Sequence, residues 1–206
     1  MNLHNLINGI KGIVPGGITL KEFSIVTRTS EDLSAEILDN LMKNGIGIFA
    51  DGHVQFDEND RLKTGMLAIT MGAPVEEISN LLTWQDFESL AAEILESHDF
   101  ETFRNVILTK PRMQIDVVGL KNKLAILVDC KHWNRMTNSS LEVAVTRQIE
   151  RAKRYLSEQP VRASVPVIVT LHQHATKFIN KVPIVPINQL GSFSEELFGN
   201  ADGIYG

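Results

Sequence analysis

The chain has 206 residues, 43% apolar and 22% charged, with a formal net charge of −5, enough for one domain or two with a sizeable core. No apolar run approaches the length of a membrane helix and no basic-then-apolar leader opens the chain, so neither a membrane nor a secreted protein is indicated. A single cysteine excludes an internal disulfide framework and fits a reducing cytoplasm, and the absence of GxxxxGK[ST], GxGxxG and paired CxxC leaves ATP, NAD and structural zinc unsupported.

Charge is unevenly distributed. Residues 1–80 hold 6 Lys/Arg and 11 Asp/Glu, and residues 81–206 hold 14 of each. Residues 104–162 alone carry 12 Lys/Arg against 5 Asp/Glu. A positive segment of this kind attracts a polyanion and lets phosphate contacts position it; solvated charge with no partner is the competing reading.

In chain order, Ile18–Thr27 reads as a short helix and Ser34–Lys43 as a second, with Ile37, Leu38 and Leu41 on its apolar face and Gly45 as its stop. Asp51-Gly52 between two apolar runs predicts a β-hairpin, and a helix over 58–71 follows. Helices, a hairpin wing and a further helix resemble a winged helix-turn-helix. Its candidate recognition helix carries Asp32, Glu36 and Asp39 against Lys43, a poor complement to phosphate, so binding a protein partner or dimerising fits this acidic segment at least as well. Pro74 marks a break, and two domains, 1–80 and 81–206, are expected to join between Gly72 and Thr83.

Thr83 with Asp86 approximates a capping box, and Phe87, Leu90, Ala91, Ile94 and Leu95 define the buried face of the helix it opens. Glu88 borders that stripe, whereas Glu93 and Glu96 turn to solvent. Two strands follow, Gln-Ile-Asp116-Val-Val-Gly and Leu-Ala-Ile-Leu-Val-Asp129-Cys130-Lys131. A strand this apolar is normally buried on both faces, so charges at its end need a reason. Side chains alternate, which puts Asp129 and Lys131 on one face and Cys130 on the other. If Asn122-Lys123 is a two-residue loop, Asp116 falls opposite Asp129 with Cβ atoms about 5 Å apart. A loop one residue shorter or longer sends the two carboxylates to opposite faces. Opposed anions repel unless neutralised, and a hard divalent cation such as Mg²⁺ does this while also gripping phosphate. That arrangement is a metal-dependent phosphodiesterase site.

After a polar loop, a helix is expected over 141–156, with Leu141, Val145, Gln148, Ile149, Ala152 and Tyr155 facing inward. Gln148 is the odd member, since a buried amide needs partners. Arg147, Arg151 and Arg154 form a basic stripe that either tracks a nucleic-acid backbone or pairs with Glu150 and Glu158. With Lys110, Arg112 and Arg135 they make up the candidate DNA-contacting set. Strands over 165–171 and 182–187 and a short helix near Ser194 complete a mixed α/β/α sandwich, with Pro166, Pro183 and Pro186 at strand starts or edges. His172 and His174 read as surface histidines, because no third ligand has suitable spacing.

Asp116 followed by Asp129-x-Lys131 resembles the PD-(D/E)XK nuclease superfamily, in particular Mrr-type restriction endonucleases and archaeal Holliday-junction resolvases. The likeness runs from about Thr83 to Leu197. It begins with Phe-Glu88-Ser-Leu, continues through His-Asp-Phe-Glu-Thr-Phe-Arg, and ends with Val-Pro-Val-Ile-Val-Thr and Val-Pro-Ile-Val-Pro-Ile. Ile115 stands where the motif's Pro would be. The resemblance implies a restriction-endonuclease-like mixed-sheet core behind a small winged-helix-like α+β domain, and a Mg²⁺-dependent deoxyribonuclease in which Mn²⁺ substitutes. Asp116, Asp129 and the Cys130 carbonyl would ligate metal, and Glu88 a second ion or its water. Lys131 would steady the nucleophile or the transition state. Gln148 would lie near substrate, a satisfied core amide being the other reading. Cutting both strands implies a homodimer. The rivals are an inactive nuclease-fold module that binds DNA, and a transcription regulator acting through residues 1–80.

Overall fold

The structure, a computed structural model, describes residues 2–57, 59–131, 137–171 and 173–205. The chain divides into two units, Met1–Asp86 and Phe87–Gly206. In the first, the order is α1 (Leu3–Ile10), β1 (Gly16–Ile18), α2 (Leu20–Thr27), α3 (Glu31–Lys43), β2 (Ile48–Ala50), β3 (His53–Phe56), α4 (Asp60–Thr70) and α5 (Val75–Ser79). The strands form a small antiparallel sheet in the order β1-β3-β2, and Leu6, Ile10, Phe23, Ile37 and Leu41 are buried among the helices. Asp51 and Gly52 both take positive φ, the requirement of the tight hairpin their sequence announces.

Several boundaries differ from expectation. Ile18 is a strand residue paired with Val54, not the start of a helix. The helix begins at Leu20 because Thr19 and Glu22 close a reciprocal capping box. α3 starts three residues earlier than expected because the Ser30 hydroxyl accepts from Leu33 N–H. The break expected at Pro74 separates α4 from α5, and the stretch after it carries α5, whose Ile78 is fully buried. Glu58, the expected start of the fourth helix, lies outside the described residues.

The second unit follows on α6 (Trp84–Glu96), where Thr83 N–H and hydroxyl donate to Asp86 and Asp86 N–H donates back to Thr83. Then come β4 (Glu101–Leu108), β5 (Met113–Lys121), β6 (Leu124–Lys131), α7 (Asn138–Glu158), β7 (Ala163–Thr170), β8 (Phe178–Ile179), β9 (Val182–Pro186), a 3-10 turn over Ile187–Gln189 and α8 (Leu190–Tyr205). The expected short helix near Ser194 is thus a 16-residue one. Six strands lie in the order β4-β5-β6-β7-β9-β8. β4, β5 and β6 form an antiparallel meander, β6, β7 and β9 run parallel, and β8 returns antiparallel.

Helices cover both faces of this mixed sheet. Val118, Ala125 and Leu127 pack with Ala152 and Tyr155 of α7. Gly119 points the other way, and a Cβ added there would lie 3.0 Å from Leu95 of α6. This α/β/α layering is the restriction-endonuclease-like arrangement expected. Pro166 is not at a sheet edge in strand order: it pairs with Leu127 on β6. β9 joins β7 only from Ile168 onward, so β7 is locally an edge at Pro166 and tolerates a residue without N–H. Among the described residues no helix is long and apolar enough to cross a membrane.

Candidate active site

Lys121 pairs with Leu124, so the loop between β5 and β6 is Asn122-Lys123, with φ of 47° and 66°. Two positive φ values make a type I′ turn, whose twist matches that of the strands it joins. The ladder runs down to Val117 opposite Val128, and one step further sets Asp116 across from Asp129. The main-chain ladder stops there, and Asp116 Oδ2 accepts from Cys130 N–H at 2.8 Å.

Asp129 is 2% exposed and ends an otherwise apolar strand. Its Oδ1 accepts from Arg151 Nη1 at 2.8 Å, and Lys131 Nζ lies 2.6 Å from Oδ2. That ion pair is the contact of Oδ2, a buried carboxylate oxygen with no hydrogen-bond partner among the described residues. Alternation along β6 accounts for Asp129 and Lys131 sharing a face.

Glu88, on the buried side of α6, is 8% exposed. Burial pushes its carboxyl up to about 7, reinforced by the charges of Asp116 and Asp129 and opposed by Arg104 and Lys131. Asp116 is also pushed up, first by burial and then by Asp129, while the Cys130 N–H, Lys131 and Arg151 pull it back. Burial likewise drives the Cys130 thiol well above its usual range, which keeps it protonated; only its main-chain groups remain as polar participants. Arg104 on β4, which in the sequence ends the stretch His-Asp-Phe-Glu-Thr-Phe-Arg and falls in the basic segment without a site role, bonds to Ser89 and tempers Glu88. Four of the eight β4 residues are polar, so no local pattern singled Arg104 out.

Gln148 is fully buried and satisfied on both sides: Nε2 donates to Leu127 O at 2.6 Å, and Oε1 accepts from Arg151 Nη1 at 3.0 Å. The basic stripe separates into three environments. Arg147 is exposed, Arg151 points inward to Asp129 rather than to Glu150, and Arg154 pairs with Glu158 while donating to Thr109 O. Lys110 and Arg112 are exposed in the β4–β5 connection, at the end of the sheet where β6 finishes. His174 is half-buried and its Nδ1 accepts from Thr176 N–H. Arg135 and His172 lie outside the described residues.

The donor chemistry suits a hard divalent cation: two opposed carboxylates, a third with raised affinity for protons, and a buried carboxylate oxygen held by an ion pair and no hydrogen bond. As placed, no three His, Cys, Asp or Glu side chains among the described residues stand close enough together to hold one.

A mixed sheet between helices, with Asp and Asp-x-Lys at adjoining strand ends, defines a restriction-endonuclease-like domain of nuclease type. The Mrr_cat restriction endonuclease family model matches residues 79–188, more than half of the chain, and the chain belongs to that family. An uncharacterized protein of Archaeoglobus fulgidus is 32% identical over 120 residues, 56% of this chain and 92% of that protein. Three solved structures are similar over part of their length. VC1899 from Vibrio cholerae is 14% identical with a TM-score of 0.43, covering 95% of this chain and 49% of that one. Can2 from Sulfobacillus thermosulfidooxidans, in complex with cyclic tetra-adenylate, is 13% identical with a TM-score of 0.42, covering 95% and 50%. AF1548, a protein of unknown function, is 24% identical with a TM-score of 0.33, covering 48% and 56%. The chain spans about half the length of these three structures. Membership in the family supports a nuclease-type function acting on nucleic acid.

Proposed function

We propose that the protein is a Mg²⁺-dependent endonuclease hydrolysing DNA phosphodiester bonds, with Mn²⁺ able to replace Mg²⁺. The observation that carries this is Asp116 reaching over Cys130 beside the Asp129–Lys131 pair. Asp116, Asp129 and the Cys130 carbonyl would hold the cation, with Glu88 at its margin. When bound, Mg²⁺ would lower the pKa of a water and offset charge on the phosphate.

The chain's own groups would do the rest. Glu88, with a carboxyl at about 7, is matched to accept a proton from the attacking water near neutral pH. Lys131 Nζ would turn from Asp129 toward the phosphoryl oxygens as their charge grows. Arg151, braced by Gln148, would hold Asp129 in place. Arg147, Lys110, Arg112 and Arg135 would contact phosphates, and a homodimer would cut both strands. Residues 1–80 would act as a winged-helix-like module, its acidity favouring a protein partner. The nuclease domain, 81–206, would do the cutting inside the cell.

A second reading, an inactive nuclease fold that binds DNA, draws on the engagement of Asp129 by both Lys131 and Arg151. A cleavage panel of branched, linear and single-stranded DNA with Mg²⁺, Mn²⁺ or EDTA, beside Asp129→Ala, separates the two. Nicking that requires metal and Asp129 supports the enzyme, and binding without nicking supports the module.

A further inference from the structure

β6, β7 and β9 run parallel, so their carboxyl ends lie along one end of the sheet, where Lys131, Thr170 and Pro186 stand in a single row. A cavity of about 230 Å³ lies along the β9–β8 side of the sheet, with Pro183, Ile184 and Val185 of β9 in its wall. Gln173, from the segment after β7, and Gln189, from the turn after β9, line it. So do Lys177, Phe178, Phe193 and Glu196. Phe178 is 64% exposed, and Phe193 on α8 is half-buried. Gln173 and Gln189, on one rim of the cavity, follow the carboxyl ends of β7 and β9, and ligands of open α/β sheets bind outside such ends.

The lining has a definite chemistry. Two phenyl rings offer stacking surface, two primary amides both donate and accept, and a carboxylate accepts from an amino group. One ammonium sits next to the exposed ring. The volume falls below the roughly 300–1,000 Å³ typical of pockets for drug-sized ligands, which leaves room for a single planar heterocycle. The Glu196 carboxylate opposes phosphate inside the cavity, while Lys177 favours it beside Phe178. We infer that this cavity is a subsite for one unpaired nucleobase of the substrate strand. The choice of ligand rests on the nuclease reading above.

A base enters only when it is unstacked, so the subsite makes the protein prefer junctions, flaps or single strands over continuous duplex.

The test uses the full chain in EDTA, where binding is read without cleavage. A single-stranded DNA oligonucleotide carries one abasic position, moved stepwise along its length. The subsite requires Kd to rise by about tenfold at one position, the worth of one base–aromatic stack. Phe178→Ala should weaken binding of intact oligonucleotide by a similar factor and erase the abasic step, and Phe178→Trp should restore both. A flat abasic profile, an unchanged profile in Phe178→Ala, or equal affinity for blunt duplex and single strand overturns the subsite. Cleavage in Mg²⁺ with Asp129→Ala is run in parallel. An abasic step without Asp129-dependent nicking sinks the nuclease reading alone; nicking with a flat profile sinks the subsite alone.

Discussion

Arg151 anchors Asp129 from across the helical layer: one guanidinium nitrogen lies 2.8 Å from its Oδ1 and 3.0 Å from Gln148 Oε1. The arginine that looks like a DNA contact in the sequence is therefore a counter-ion to a buried charge. Removing one partner of such a charge is costly, and Lys131 offsets only part of the loss. Arg151→Ala should destabilise the protein by about 3 kcal/mol in urea unfolding. Arg147→Ala, on the exposed side of α7, should stay within about 0.5 kcal/mol. Equal effects from the two would contradict the assignment.

Asp116 raises the energy of the resting fold. Its half-buried carboxyl faces Asp129 and is pushed toward protonation, by desolvation first and that like charge second. Asp116→Asn keeps an acceptor for Cys130 N–H while removing the repulsion, so stability should rise by about 1 kcal/mol as Mg²⁺-dependent nicking disappears. A destabilised Asp116→Asn protein with intact nicking would reverse this account.

For Lys131→Ala, oligonucleotide affinity should hold while the single-turnover nicking rate falls by at least about 10²-fold. Retained nicking rejects a role for its ammonium in the chemical step. A matched loss of binding and rate would instead make Lys131 a phosphate anchor.

Stability should depend on pH through Glu88. Its folded-state value of about 7 lies above the ordinary 4.5 of an unfolded glutamate. Between those values the folded state holds more protons, so stability falls as pH rises and the full loss is reached above about 7. In EDTA, Tm should drop by roughly 5 °C between about pH 5 and pH 8. Glu88→Gln should shrink the drop, and Mg²⁺ should recover part of it at the upper pH. A Glu88→Gln slope equal to wild type would remove Glu88 as the cause.

Lys123 sits at φ 66° in the turn that aligns the two aspartates. Glycine takes this conformation without strain, so Lys123→Gly should stabilise the protein by about 0.5–1 kcal/mol with no change in nicking. A loss of activity would mean that the turn had slipped register.

The site was legible in the sequence because alternation and a two-residue turn are local rules. Asp129, Lys131 and Asp116 needed only β-strand periodicity and the Asn122-Lys123 loop to be aligned. Gln148 was conspicuous as a polar residue in an apolar stripe, but its partners, Leu127 O and Arg151, lie across the fold. The helical spacing of Arg147, Arg151 and Arg154 holds, yet spacing does not reveal which of them a distant buried charge will claim. Boundaries failed for related reasons. Ile18 became a strand because β3 was available to pair with it, and Ile78 ordered a helix after the expected break because it found a buried site. Such tertiary partners leave little trace in local pattern.

Pro166 has a consequence of its own. It interrupts the run of amide donors on β7 where the strand has no second neighbour, a notch that would otherwise serve as a template for an intruding segment. A single imino acid thus works as a safeguard against fibrous self-association at this local edge of the sheet.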